Sequence, residues 1–312
     1  MSYEEVVVPS RDLYSLAVRV FDVAKPKAVV KCVHGMEEHQ NRYVEFAEFL
    51  QKNGYAVVTA DMRGHGKSAP KLSHIADKNG HKLLIEDEQV LLEYIKGRYP
   101  NVPIILFGHS MGTIISRKLM QTNSQDFVKV VLSGYPNPQG VASVGAFLSS
   151  FIALFKGRKG YSKLVNDMVL GGFSKLVNDM VLGGFSKAVP NASSPLDWLS
   201  YNKENVDRYA KDPLCGEEFT LGSFNALFHL VSDINKPGQY KNVNAECPIY
   251  LISGADDPCT GGEKGRNDSL DRLQRAGFKN IEVKTLDHMR HEILNEDNKQ
   301  EVMQLILDFI NK

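Results

Sequence analysis

Apolar positions along this chain fall into two alternating rhythms. Glu5–Val8 and Leu13–Phe21 look like an opening antiparallel pair. Ala28–His34 is a continuous apolar run, as a strand buried on both faces would be. Strand patterns recur at Tyr55–Ala60, Pro103–Gly108, Val128–Ser133, Pro248–Ser253 and Ile281–Thr285. Helical spacing occupies the gaps, at Tyr43–Asn53 (stopped by Gly54), Lys82–Lys96, Met111–Gln121, Ser269–Ala276 and Lys299–Ile310. Such alternation predicts an α/β fold with a mostly parallel central sheet and helices on both faces.

The rhythm breaks between 135 and 242. That stretch has helical and loop character and contains Trp198, the chain's one tryptophan. Because the strand rhythm resumes afterwards, the expected division is a core of 1–134 and 243–312 interrupted by a helical cap at 135–242. Within the cap, Ser162–Phe173 reads SKLVNDMVLGGF, and Ser174–Phe185 repeats it letter for letter. Two copies are too few for a solenoid, so the repeat reads as a duplication.

Composition narrows the function. With 37 basic and 37 acidic residues the formal charge is zero, which gives no electrostatic case for nucleic acid. Cys32, Cys215, Cys247 and Cys259 are widely separated and lack metal-ligand spacing, so they read as reduced thiols of a cytoplasmic protein. MSYEEVVVPS has neither a basic start nor an apolar segment of a secretory signal, and no apolar run reaches membrane-spanning length.

The sharpest chemical signal is Gly108-His109-Ser110-Met111-Gly112, placed between a strand and a helix. This is the G-x-S-x-G turn in the context it requires, with Ser110 the candidate nucleophile and the Met111 N–H aimed at a developing oxyanion. It makes an α/β-hydrolase fold the expected class. His34-Gly35-Met36 ends the third strand, where that fold supplies its second oxyanion donor, here assigned to the Met36 N–H. The acid should follow a late strand, where Asp256 and Asp257 compete. The base should lie in the last loop, where His288 and His291 compete.

The sequence resembles the monoacylglycerol lipase and lysophospholipase branch of serine α/β-hydrolases. HGMEEHQNRY at 34–43 is similar to that branch's HGxxEHxxRY, DMRGHGKS at 61–68 to DxRGHGxS, and SPLDWLS at 194–200 to a cap motif. The resemblance covers nearly the whole chain, and the repeat departs from it. It implies Ser110, Asp257 and His291 as a triad, the last from the pattern RHE-x-x-NE. Asp256 is then a solvated loop residue, His288 a loop or wall residue, and His65 and His109 structural. His39 and Glu38 are expected to support the oxyanion loop.

The implied activity is hydrolysis of carboxylic esters, of monoacylglycerol or lysophospholipid type, without metal or organic cofactor. Short-chain carboxylesterase, thioesterase and acyltransferase activities would use the same triad, and a non-catalytic binding protein on this fold is the reading from another class. Haloalkane and epoxide hydrolases need a carboxylate where Ser110 stands. Phe147, Phe151, Leu154 and Trp198 are candidates to line an acyl tunnel. Val141–Phe155 is either the cap's packing face or a surface for peripheral membrane contact. Cys259, two residues past Asp257, is either a plain loop cysteine or a regulatory thiol. No obligate protein partner is indicated; the expected partner is a small-molecule or lipid ester.

Overall fold

The computed structural model describes residues 3–137, 182 and 184–312. Their eight strands are β1 (Glu4–Pro9), β2 (Ser15–Phe21), β3 (Val29–Val33), β4 (Ala56–Ala60), β5 (Ile104–His109), β6 (Phe127–Ser133), β7 (Ile249–Gly254) and β8 (Ile281–Leu286). They form one sheet in the order β1-β2-β4-β3-β5-β6-β7-β8. The β1–β2 and β2–β4 pairs are antiparallel, and every pair beyond is parallel. Every residue of β3, β4, β5 and β7 is buried. Alternate side chains of these strands feed two cores. Val29, Val33, Val58 and Leu106 belong to one, and Val30, Cys32, Val57 and Phe107 to the other. The β8 edge is different, since Glu282 and Lys284 are exposed there and charge protects the open strand from pairing.

Helices cover both faces. They are α1 (Val44–Lys52), α2 (Gly80–Arg98), α3 (Met111–Asn123), α4 (Lys203–Lys211), α5 (Leu221–Ile234), α6 (Gly262–Arg275) and α7 (Lys299–Asn311). The apolar residues of α2, α3 and α5 fill the first core, and those of α1 and α7 fill the second. Helix α6 begins seven residues before the expected Ser269, and it ends at Arg275. Its first turns, Gly262-Glu-Lys-Gly-Arg-Asn-Asp268, carry no apolar periodicity for a sequence reading to find. Between β6 and β7 the described residues hold helices and turns but no strand. Phe147, Phe151, Leu154, the segment Val141–Phe155 and both repeat copies, apart from Leu182, Gly184 and Phe185, lie outside the described residues.

One charged pair is set inside the first core. Lys31 of β3 and Glu88 of α2 form an ion pair with both side chains nearly fully buried. Beside it Arg63 bridges Asp87 and Asp12, and Ser10 donates to Asp87. A buried pair repays desolvation only while both charges are present. Lys31→Met should therefore destabilise the protein by about 3–5 kcal/mol, whereas Lys31→Met with Glu88→Leu should recover most of that loss. Urea unfolding of the two variants checks this, and equal stability of the single and double variants would contradict it.

Candidate active site

The parallel strands end on one edge of the sheet, and their following loops meet there. Ser110 follows β5 with φ +51° and ψ −122°, a strained conformation for a residue with a Cβ. Two contacts hold it there: its N–H donates to the Ser133 carbonyl at 3.0 Å, and its carbonyl accepts from Thr113 N–H at 2.8 Å. The flanking glycines are required by space. A Cβ on Gly108 would come within 2.5 Å of Ser116 Oγ and 2.7 Å of the Gly112 carbonyl, and one on Gly112 would enter the Val33 carbonyl.

Asp257 lies just after β7 and His291 in the loop after β8. The structure brings them together, with His291 Nδ1 3.0 Å from Asp257 Oδ2 and both side chains buried. The other oxygen of Asp257 accepts from Cys259 N–H at 2.8 Å, which orients the carboxylate. Burial opposes a charge on the imidazole, but the Asp257 carboxylate outweighs it and holds the His291 pKa well above the ordinary value. Ser110 and His291 line the same cleft, although no hydrogen bond joins Ser110 Oγ to the imidazole among the described residues. In an unliganded site such a contact is often long and tightens when substrate binds.

The competing candidates point elsewhere. Asp256 is exposed and accepts a hydrogen bond from Tyr201 Oη at 2.9 Å, so it is engaged as well as solvated. His288 is exposed and stacks on Tyr201 with ring centroids 4.1 Å apart. His109 packs against His291 at 4.8 Å, and burial with that neighbour pushes its pKa down to about 4. His65 is lowered to about 3, by burial and by His34. Both stay neutral packing groups.

The loop after β3, where the sequence places an oxyanion donor, is tied down from several directions. His34 Nδ1–H donates to the Gly35 carbonyl at 2.8 Å while Nε2 accepts from Met62 N–H at 3.0 Å, so two bonds select one tautomer. Glu38 accepts from Gly35 N–H, Tyr43 Oη and Arg42 Nε. Burial works against its ionisation, yet the neighbouring imidazoles and Arg42 hold its pKa at about 2. His39 Nε2 meets Asp212 Oδ2 at 2.9 Å, just beyond α4. Thus Glu38 and His39 both brace the loop, by separate contacts. Neither Met36 N–H nor Met111 N–H has a hydrogen-bond partner among the described residues, which leaves both available to an oxyanion.

Trp198 is buried, 5.0 Å from the His291 ring and 5.1 Å from Phe185. Together with Ile114, Leu182, Leu199 and Leu227 these rings form the apolar wall of the cleft. Cys259 also lines it, its thiol pKa raised by burial. Asp257, Cys259 and His291 offer carboxylate, sulfur and imidazole ligand atoms within 4.8 Å of one another, as do His39, Asp212 and Cys215. In the first set the imidazole and carboxylate already bond each other, as they do in the second.

The sequence reading passed over Glu37. It is only 4% exposed, lines the cleft and has φ +55°. Burial, with Glu217 and Glu218 nearby, pushes its carboxyl pKa up to about 8 against the pull of Phe219 N–H. A positive φ at a non-glycine residue is visible only in coordinates, so nothing in the sequence marked it.

A family profile described as serine aminopeptidase, S33 matches residues 24–298. A monoacylglycerol lipase of Mycolicibacterium smegmatis is 25% identical over 299 residues, 93% of this chain and 92% of the relative. A monoglyceride lipase homolog of monkeypox virus is 36% identical over 119 residues, 35% of this chain and 39% of the relative. Against the viral protein, then, the chain spans well under two thirds of the relative's length. Among solved structures, a thermostable carboxyl esterase from Bacillus coagulans in complex with glycerol superposes with TM-score 0.85 at 26% identity, covering 100% of this chain and 98% of that one.

Glu37 has a consequence for stability. Its pKa is about 8 when folded, against 4.5 for the free side chain, so the folded state keeps a proton that the unfolded state has lost between those values. Stability from this group is therefore present at low pH and lost as pH rises toward 8. Between pH 6 and 8.5 the wild-type protein should lose roughly 2 kcal/mol relative to Glu37→Gln. Parallel urea titrations at the two pH values measure the difference, and matching slopes would show that Glu37 is ionised in the fold.

Proposed function

We propose that this chain, which belongs to the serine aminopeptidase S33 family and is a serine ester hydrolase of the monoacylglycerol-lipase type, cleaves monoacyl esters through an acyl-enzyme on Ser110. One observation carries the reading. A single cleft is lined by Ser110, by His291 with the buried Asp257 behind it, and by Met36 and Met111, with an apolar wall beside them. Glycerol, the alcohol that such an ester would release, is what the Bacillus coagulans esterase holds.

Each group has a role in the proposed mechanism. Asp257 fixes the Nδ1–H of His291, which leaves Nε2 as the base. His291 takes the Ser110 proton as Oγ attacks the ester carbonyl, and the N–H groups of Met36 and Met111 hold the oxyanion. His291 then protonates the leaving alcohol and afterwards activates water to release the acid. The Trp198 wall takes the acyl chain, each buried methylene adding up to about 0.8 kcal/mol. In this proposal the segment 135–242 is a cap over the cleft. The four cysteines are all free, which fits a cytoplasmic setting, and no helix among the described residues is long and apolar enough to cross a membrane.

A fluorophosphonate probe should label the wild-type protein and leave Ser110→Ala unlabelled. His291→Ala should lose roughly a thousandfold or more in kcat/KM on a medium-chain ester, while His288→Ala should stay within a few fold. A dead His288→Ala enzyme would move the base to the wrong histidine.

The pH profile tests the same pair. Catalysis needs neutral His291, and Asp257 raises its pKa, so kcat/KM should climb with pH along a limb lying above the ordinary histidine value of 6.5. A limb centred below pH 6 would contradict the proposed coupling.

A further inference from the structure

Glu37 is out of place by every local criterion. Its backbone sits at φ +55°, where glycine costs nothing and a side chain costs on the order of 1 kcal/mol. Its carboxyl is buried in the wall of an otherwise largely apolar cleft. Two donors fix the backbone: Gly216 N–H and Tyr209 Oη both donate to the Glu37 carbonyl at 2.9 Å. One carboxyl oxygen, Oε1, accepts from Phe219 N–H at 3.3 Å. The other has no hydrogen-bond partner among the described residues. The other two acids of the cleft are occupied, Glu38 by Tyr43 and Arg42, Glu292 by Arg42 and Asn205.

A strained residue with an uncommitted carboxyl points to a ligand group. We propose that Glu37 is a specificity residue that hydrogen-bonds a free hydroxyl on the alcohol part of the substrate, selecting esters of polyols over esters of simple alcohols. Position supports the assignment to the alcohol side. Glu37 directly follows Met36, so it lies one residue from the proposed oxyanion donor and close to the ester carbonyl. The acyl chain has no polar group for a carboxyl to meet, and the apolar wall of Ile114, Leu182, Phe185, Trp198 and Leu227 is its natural place. The hydroxyl-bearing part of a monoacyl ester is what remains. A protonated carboxyl offers both a donor and an acceptor, and so can answer a hydroxyl in either sense.

The inference rests on the ester-hydrolase reading, and the experiment separates the two. Measure kcat/KM on monolauroylglycerol and on ethyl laurate, which share the acyl chain and differ only in the alcohol. The wild-type protein should prefer the glycerol ester, and Glu37→Gly should lower the ratio of the two values about tenfold, the effect of one hydrogen bond to a buried partner. Glycine relieves the strained φ, so this variant is expected to fold. Glu37→Gln keeps a donor and an acceptor and should restore most of the ratio. A ratio unchanged in Glu37→Gly, or equal falls on both esters, would overturn the assignment while leaving the hydrolase intact. Absence of turnover on both esters by the wild-type protein would overturn the hydrolase reading and this inference with it.

Discussion

Arg42 is wedged between two buried carboxylates that belong to different loops, and the geometry of the site depends on that arrangement. Its Nε donates to Glu38, which in turn receives the Gly35 N–H of the oxyanion loop. Its Nη2 donates to Glu292, the residue after His291. The same nitrogen reaches Asn205 Oδ1 at 3.2 Å, and Asn205 Nδ2 returns to Glu292 at 2.6 Å. One planar guanidinium thus joins the oxyanion loop, the histidine loop and α4. A lysine would offer a point charge and could not hold two carboxylates in this fork. Two acids share one base in a dry site, so the excess negative charge is costly. Burial accordingly drives the Glu292 pKa up while Arg42 opposes it. The cluster constrains position more than it adds stability.

The sheet does the coarse placement and the loops the fine placement. Parallel pairing brings the ends of β3, β5, β7 and β8 to one edge, although their functional residues are spread over 34 to 291 in the chain. Close approach then fixes the depth. Gly112 lies against the Val33 carbonyl and Gly254 against those of Met289 and Arg290, so the start of α3 can sit against β3, and the end of β7 against the loop after β8, only with glycine there. Asp61 plays a similar part for the fourth strand, its carboxylate taking Gln40 N–H and Lys67 N–H at 2.8 Å each and pinning two loops together.

How much of this was legible in the sequence varies with the range of the interaction. The elbow was legible because the close approaches of Gly108 to Ser116 and of Gly112 to the Val33 carbonyl leave no room for a Cβ, and the glycines record that in the sequence. The late acid and base were ambiguous from residues alone, since Asp256 and Asp257, or His288 and His291, differ only in which way a loop turns. His288 has φ +54° and faces Tyr201, which a sequence does not display. Helix α6 was read short because its opening turns are polar. Glu37 was invisible, being an ordinary acid in a polar-looking motif until the fold buried it. Local chemistry leaves a mark in local sequence. Burial of a whole strand also leaves one, as the apolar run at Ala28–His34 does, but burial of a single acid such as Glu37 does not.

The segment from Ser194 to Asn205 is tied closely to the loop that carries His291. Glu296 accepts from Ser200 Oγ at 2.7 Å and from the N–H groups of Tyr201, Asn202 and Arg290. Glu292 N–H donates to the Leu199 carbonyl at 2.8 Å, and Arg290 covers the Tyr201 ring at 3.9 Å while its Nη1 reaches the Asp197 carbonyl. Trp198 completes the contact against His291 itself. The loop that carries His291 is thus held both by its own bonds, such as Arg290 N–H to the Glu296 carboxylate and Asn295 N–H to the Glu292 carbonyl, and by those to this segment. Without this segment, Glu296 would keep the Arg290 N–H and Glu292 would keep Arg42 as donors among the described residues. Displacing the segment would take the Ser200, Tyr201 and Asn202 donors from Glu296 and the Trp198 ring from His291, which resists opening at this point.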